Sequence, residues 1–295
     1  MKYLYYPGCS LEGTAHEYDL STRAFMDAVG AELEELPDWT CCGASAAEPV
    51  SFLLSLVLPA RNLAIAENMD GDRHIMVPCS ACYLNLKRVS EKIKKDADLH
   101  GRINTVLNEE SLELKGQAVT RHLLDVLAND IGPTRIAARV QNPLKDLVVA
   151  PYYGCQCLRP YPVFDDPEKP RSMEPLIAAT GATVHTWNMG AQCCGASNMN
   201  TKPESARELV GALLKAARGA DVIATVCPMC QMNLEAYQHK ISKLENEDLH
   251  VTILYLPQLL GLALGLAKEA LRLDLNLAVT RAFRNRLPFT DTAAR

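Results

Sequence analysis

This sequence has little excess charge of either sign, no long hydrophobic run and no glycine-rich nucleotide fingerprint. Its 295 residues carry 30 lysines and arginines against 35 aspartates and glutamates, a net charge of −5. That balance argues against nucleic acid as the main partner, because gripping phosphates takes clustered basic side chains. The densest basic stretch, Lys87, Arg88, Lys92, Lys94 and Lys95, is broken by Glu91 and sits in a helical pattern, so it reads as a solvated helix face. The longest apolar run, Ile253 to Ala267, is interrupted by Pro257 and Gln258 and closed by Lys268. It falls short of the ~20 residues a membrane-spanning helix needs. The opening words MKYLYYPGCS read directly as a strand and not as a secretion signal, which sets the expectation of a cytoplasmic protein. Without a G-x-G-x-x-G word the chain carries no dinucleotide fingerprint of its own.

What is present instead is cysteine. There are eleven, and in a reducing compartment so many clustered thiols point to metal ligation or redox work ahead of structural disulfides. They recur in order. Tyr-Tyr-Pro-Gly-Cys9 answers Tyr-Tyr-Gly-Cys155, Cys41-Cys42-Gly-Ala-Ser answers Cys193-Cys194-Gly-Ala-Ser, and Cys79-Ser-Ala-Cys82 answers Cys227-Pro-Met-Cys230. The offsets are 155−9=146, 193−41=152 and 227−79=148, close enough to a single value to mean an internal duplication. The segments after the third words, AVTRHLLDVL at 118–127 and VTILYLPQLLGLAL at 251–264, are related as well. Asp130 to Lys145, with two prolines and weak periodicity, reads as a connection between units spanning 1–145 and 146–295.

Within each unit strands alternate with helices. Lys2–Pro7, Glu32–Leu36 and His74–Val77 read as strands, with helices over Tyr18–Val29, Phe52–Asn68 and Tyr83–Lys95. The second unit repeats this with strands at Leu147–Tyr153, Thr183–Trp187 and Val222–Val226, and helices at Met173–Thr180, Ser205–Arg218 and Gln231–Ser242. The leucine-rich stretch Leu259–Leu266 reads as a core helix. The pattern predicts an α/β architecture with two tandem, duplicated, Rossmann-like units built on mostly parallel sheets. In such sheets ligands sit at the carboxyl ends of the strands, and every cysteine word lies at or just past a predicted strand end.

Five thiols per unit is more than a structural zinc or a cubane cluster takes, since each uses four. The surplus points either to a ligand-rich cluster or to one free reactive sulfur. Gly43 and Gly195, without side chains, let the backbone pass close to a bulky inorganic core.

The order C…CC…CxxC, twice, resembles the cysteine-rich CCG domain. Two copies without a ferredoxin-type C-x-x-C-x-x-C run, together with YYPGCSLEGTAHEYD, LPDWTCCGA, YYGCQCLRP and FDDPEKP, resemble the family of heterodisulfide reductase B subunits over essentially the whole chain. The resemblance implies two noncubane [4Fe-4S] clusters that cleave a disulfide, or join two thiols in reverse, in one-electron steps. It assigns Cys9, Cys41, Cys42, Cys79 and Cys82 to the first, and Cys155, Cys193, Cys194, Cys227 and Cys230 to the second, as ligands and as the catalytic set. It also implies a small [4Fe-4S] ferredoxin-like subunit and an FAD-containing subunit as electron-supplying partners, and a small disulfide or thiol as substrate bound between the two sets. Two features depart from the pattern. Only 32 residues separate Cys194 from Cys227, against 36 between Cys42 and Cys79, and Cys157 has no counterpart because position 11 is leucine. Cys157 reads as a non-ligand thiol.

Other polar residues near the words have plainer uses. Asn85 and Asn233 follow their CxxC words at one spacing and suit either a cluster sulfur or a turn cap. His16 and His185 are not matched between halves and read as structural; Arg159 reads as a salt-bridge partner; Trp39 and Trp187 read as walls against solvent. Two rivals to the disulfide enzyme stand beside it. One is a CCG electron-transfer subunit of a lactate-utilisation-type oxidoreductase, and the other is a non-catalytic zinc scaffold that docks partners; zinc in one half also suits the shared thiolate ligands.

Overall fold

A computed structural model describes residues 1–44, 46–69, 71 and 74–287; Ser45, the last residue of the first CCGAS word, lies outside them. The chain forms two four-stranded, all-parallel sheets with helices on both faces. In the first, β1 (Lys2–Tyr5) leads into the one-turn α1 (Cys9–Glu12) and then α2 (His16–Ala28). There follow β2 (Glu32–Glu35), α3 (Phe52–Asn68), β3 (His74–Val77), α4 (Ser80–Ile93), α5 (Ala97–Leu107), β4 (Val119–His122), α6 (Leu123–Val126) and α7 (Gly132–Ala137). The second comprises β5 (Val148–Tyr152), α8 (Glu174–Ala179), β6 (Thr183–Val184), α9 (Pro203–Ala216), β7 (Val222–Thr225), α10 (Pro228–Ala236), α11 (Gln238–Glu245), β8 (Thr252–Tyr255) and α12 (Leu256–Leu264).

The strand orders are β2-β1-β3-β4 and β6-β5-β7-β8. Each order reverses direction between its first and third strands, which opens a crevice at their carboxyl ends. Cys9 and Cys79 leave the first sheet at that point, and Cys155 and Cys227 leave the second there. The central strands bury both faces, as parallel strands covered on two sides must, so β3 and β7 are nearly continuous apolar words, Ile75-Met76-Val77 and Val222-Ile223-Ala224.

Several elements differ from the sequence expectation. The segments 118–127 and 251–264 each hold a strand and a helix, adding an outer fourth strand to each sheet. The expected strand Thr183–Trp187 pairs only over Thr183–Val184 before the backbone turns toward the Cys193 loop. The expected helix Gln231–Ser242 is broken at Tyr237 into α10 and α11. The supposed connection Asp130–Lys145 contains α7, which packs on α8.

The halves embrace through exchanged aromatic contacts. Tyr18 of α2 stacks on Tyr255 at the end of β8, with ring centroids 3.9 Å apart and planes 3° from parallel. In return, Phe164 of the second half lies over His122 at the end of β4, at 6.1 Å and 5°. His122 and Tyr255 occupy matching positions, each the last residue of an outer strand. A buried aromatic pair contributes about 0.5–1.5 kcal/mol beyond its area. Helix α2 lies along α12, so the leucine-rich α12, buried throughout, is a core helix of the interface between the halves.

Candidate functional site

Each cysteine word is held by contacts that recur in both halves. The tyrosine three residues before the first cysteine reaches the carbonyl just ahead of the paired cysteines: Tyr6 Oη donates to Thr40 O at 2.8 Å and Tyr152 Oη to Gln192 O at 2.8 Å. The asparagine of the CxxC helix reaches the carbonyl on the other side. Asn85 Nδ2 donates to Cys42 O at 3.0 Å and Asn233 Nδ2 to Cys194 O at 2.7 Å. Each asparagine thus pins the backbone of the paired cysteines, and Asn85 also bonds the Cys42 thiol. The tyrosines are functional residues that the sequence reading passed over; their place immediately before Pro7-Gly8 and Tyr153-Gly154 in the repeat was the available signal.

Glycine is required at two matched turns. Gly8 and Gly154 have φ of 75° and 70°, in the left-handed region. A Cβ on Gly8 would stand 2.9 Å from Cys82 Sγ, and one on Gly154 3.1 Å from Cys230 Sγ. The last thiol of each set fills the space those glycines leave. Gly43 and Gly195 play a second role, because their N–H groups face the preceding thiols, at 3.5 Å from Cys41 Sγ and 3.3 Å from Cys193 Sγ.

These supports bring the ten repeated cysteines together. In the first half Cys41 and Cys9 lie 3.6 Å apart and Cys42 and Cys82 3.3 Å apart, with Cys79 and Cys82 in contact. In the second, Cys194 and Cys230 are 3.5 Å apart, Cys155 meets Cys193, and Cys227 meets Cys230. The two sets touch: Cys79 and Cys227, both buried, are in direct thiol contact across the halves. The five second-half thiols line a cavity of about 50 Å3, and Ser80 of the first half forms part of its wall. Cys9, Cys41 and Cys193 are exposed, so each set has a buried inner side and an open outer one.

The electrostatics divide the thiols. Cys42, Cys193, Cys194 and Cys227 are held down toward thiolate by the hydrogen bonds they accept. Cys41, Cys79, Cys82, Cys155 and Cys230 are pushed up by the hydrogen bonds they donate and by burial. Cys79 and Cys227 are the N-caps of α4 and α10, which puts each CxxC word on the first turn, beside unpaired N–H groups and the positive end of the helix dipole. Cys42 is held down at about 3, foremost by the hydrogen bond from Cys41. Cys193 is held at about 6, foremost by the hydrogen bond from Cys155. Their donors Cys41 and Cys155 are pushed up correspondingly. Ten soft sulfur donors with backbone N–H groups at their flanks fit an iron–sulfur or zinc centre in kind. Among the described residues no three Cys, His, Asp or Glu side chains close on a single-ion position.

The remaining candidates fall outside the thiol sets. Cys157 is buried, bonds Tyr153 O at 3.2 Å, and is pushed up to about 12 by burial. Arg159 pairs with Glu168 at 2.9 Å and bonds Ala191 O, which ties the Cys155 loop to the approach of Cys193. His16 is exposed on the first turn of α2, and His185 bonds Ala216 O at 3.2 Å. Trp39 and Trp187 are half-buried and pack edge-on against Tyr6 and Tyr152. One polar link crosses the halves unannounced by the sequence. Ser80 Oγ donates to Val226 O at 3.3 Å and lies 3.1 Å from His122 Nε2. His122 Nδ1 accepts from Leu124 N at 3.1 Å, which leaves the proton on Nε2.

The model of the cysteine-rich domain named CCG matches residues 3–87 and 149–235. The chain belongs to the CCG cysteine-rich domain family. This CCG protein is 34% identical over 280 residues to the 8-methylmenaquinol:fumarate reductase membrane anchor subunit of Wolinella succinogenes, covering 94% of this chain and 96% of that one. It is 28% identical over 276 residues to the B subunit of the ferredoxin/F(420)H(2)-dependent CoB-CoM heterodisulfide reductase of Methanosarcina acetivorans, covering 91% of each. A crystal structure of a hypothetical protein from Helicobacter pylori shares the fold, with a TM-score of 0.76 at 17% identity; it covers 95% of this chain, which spans about half of that one (52%). No helix among the described residues is long and apolar enough to cross a membrane.

Proposed function

We propose that the chain is the disulfide-handling iron–sulfur subunit of a heterodisulfide-reductase-like complex, with Cys9, Cys41, Cys42, Cys79 and Cys82 holding one noncubane [4Fe-4S] cluster and Cys155, Cys193, Cys194, Cys227 and Cys230 a second. The observation that carries this reading is the pair of five-thiol sets, each at a strand-order reversal, meeting through Cys79 and Cys227. The matched domain family and the relatives named as heterodisulfide reductase B subunits support the broader statement, an iron–sulfur electron-transfer subunit of a reductase.

Bound clusters supply single electrons at a sulfur-rich centre. Splitting a disulfide takes two electrons and two protons and yields two thiols, which is why two matched sets in contact suit the reaction. The chain's own part is positional. The tyrosine and asparagine pins fix the paired cysteines, the first turns of α4 and α10 stabilise negative sulfur, and burial of the inner thiols keeps water off them. The exposed outer thiols leave an approach for a small disulfide. The partners in this reading are a ferredoxin-like [4Fe-4S] subunit and an FAD-containing subunit, in the cytoplasm.

The likeness to the fumarate reductase subunit favours a second reading, an electron relay that never touches a disulfide. The deciding experiment is anaerobic: iron, zinc and acid-labile sulfide per chain, then electron paramagnetic resonance after oxidation with and without a thiol. Iron for two clusters and a thiol-dependent signal is the expected result. Zinc with little iron overturns the reading. Full iron, no response to thiol and no disulfide reduction with an artificial reductant selects the relay.

A further inference from the structure

The two faces that carry the exposed thiols are not alike. Beside the first, Val50, Phe52 and Leu54 are 78%, 47% and 39% exposed, three large apolar side chains within five residues. They adjoin the paired cysteines. Ala47 N bonds Gly43 O, and the N–H groups of Val50 and Ser51 bond Ala47 O. Farther along α3, Leu58 fills the space a side chain on Gly43 would take; it lies six residues past Phe52, about 9 Å at the helical rise.

The Phe52 ring is held at the surface by cations. Arg88 Cζ lies 5.8 Å and Lys92 Nζ 5.3 Å from its centroid. Arg88 is oriented by two bonds to Glu48, at 3.0 and 2.9 Å. Lys87, bridged to Glu91 at 3.4 Å, extends the basic frame along α4. Beside the second thiol set the exposed apolar side chains among the described residues are Leu209 and Met232, and none of the described aromatic residues there lies between cations. At the offset of 148, Lys87 and Arg88 correspond to Glu235 and Ala236.

We propose that the surface around Phe52 is the docking face for a protein of acidic surface bearing a one-electron carrier, so that electrons enter on the side of the first thiol set. An aromatic anchor ringed by arginine is the make-up of a protein interface centre. On a chain of net charge −5, a local basic frame is what would steer an acidic partner to this face. Each docking delivers one electron, the carrier being oxidised by one unit, and two dockings supply a disulfide's two electrons. The inference rests on the redox reading above.

The test measures binding of a reduced, acidic plant-type ferredoxin by calorimetry on the anaerobically purified protein, at low and at high salt. Wild type, Phe52→Ser, Lys92→Glu and Met232→Ser are compared at equal iron content. Expected are salt-sensitive binding by wild type and Met232→Ser, at least tenfold weaker binding by the other two, and unchanged reduction of all four by methyl viologen. Absence of salt-sensitive binding, equal binding by all four, or loss confined to Met232→Ser overturns the proposal. So does co-sedimentation with phosphatidylglycerol vesicles that Phe52→Ser abolishes while ferredoxin binding stays intact. A protein that takes up no iron defeats the redox reading, while ferredoxin binding still reports on the face.

Discussion

The first half closes its cysteine-pair loop over Ala47 and Leu58, and the second closes its own over Ala206 and Leu209. The packing residues differ, yet the groups that touch the thiol words are the same: a tyrosine, two glycines and an asparagine at matched places. The halves have therefore diverged where only volume counts and stayed alike where a particular donor or a missing side chain sets the backbone path. Away from the thiols they part further. Ser80 sends a hydroxyl across to Val226, whereas its counterpart Pro228 has none to send, and Phe52 has no aromatic counterpart.

The strongest way to break the comparison is to remove one thiol from one side. Cys194→Ala should lose about half of the iron and all disulfide turnover, and Cys42→Ala should do the same from the other half, since in the proposed reading each set holds its own cluster. Cys157→Ala should retain its full iron. Iron and sulfide per chain, read beside turnover, check all three.

A second test exploits a position where the halves carry opposite charge. Burial pushes the Glu235 carboxyl up from 4.5 to about 7, partly offset by the N–H of Ala278, while its counterpart Lys87 on α4 is bridged to Glu91. The folded protein thus keeps a proton that the unfolded chain sheds above 4.5. The contribution to stability is complete below 4.5 and is lost as pH rises through about 7. Glu235→Gln should match wild type near the lower pH and exceed it at pH 8 by at most about 3 kcal/mol. Urea midpoints at the two pH values decide it, and a variant no more stable at pH 8 refutes the shift.

The glycine pair gives a graded comparison. Gly8→Ala and Gly154→Ala should each cost about 1–2 kcal/mol for a left-handed alanine. Gly8→Ala should also disturb its set more, because its Cβ would stand closer to sulfur, 2.9 against 3.1 Å. Thermal melts and cluster absorbance together separate the two effects. The asparagine pair should differ least. Asn233→Ala, at a buried residue, should cost about 2 kcal/mol and Asn85→Ala, at a half-buried one, about 1 kcal/mol, each orphaning one carbonyl. Equal losses would mean that solvent reaches both loops alike.

Much of this was legible in the chain. Apolar words such as Ile75-Met76-Val77 and Val222-Ile223-Ala224 announce buried parallel strands, and the repeated cysteine words locate the site at their ends. The outer strands escaped notice because Val119–His122 and Thr252–Tyr255 are short and run straight into helices, so no turn residue separates the two periods. Trp187 carried an expected strand too far because an apolar residue before the paired cysteines looks the same whether it lies in a ladder or in the loop leaving it. Asn85 and Asn233 were legible as a matched pair, but not their target, since a side-chain amide suits sulfur or carbonyl equally.

The sequence by itself determined two copies of one α/β unit and the ten thiols each pair of words would gather, because periodicity and spacing are local properties of a chain. Only the tertiary structure decided that the two sets touch through Cys79 and Cys227, that Tyr18 stacks on Tyr255 and Phe164 on His122, and that Ser80 walls the other half's cavity. Those contacts join residues more than forty and up to more than two hundred positions apart, and they form only when two curved, helix-covered sheets bury their remaining apolar faces against each other. No local pattern encodes which side chains then meet.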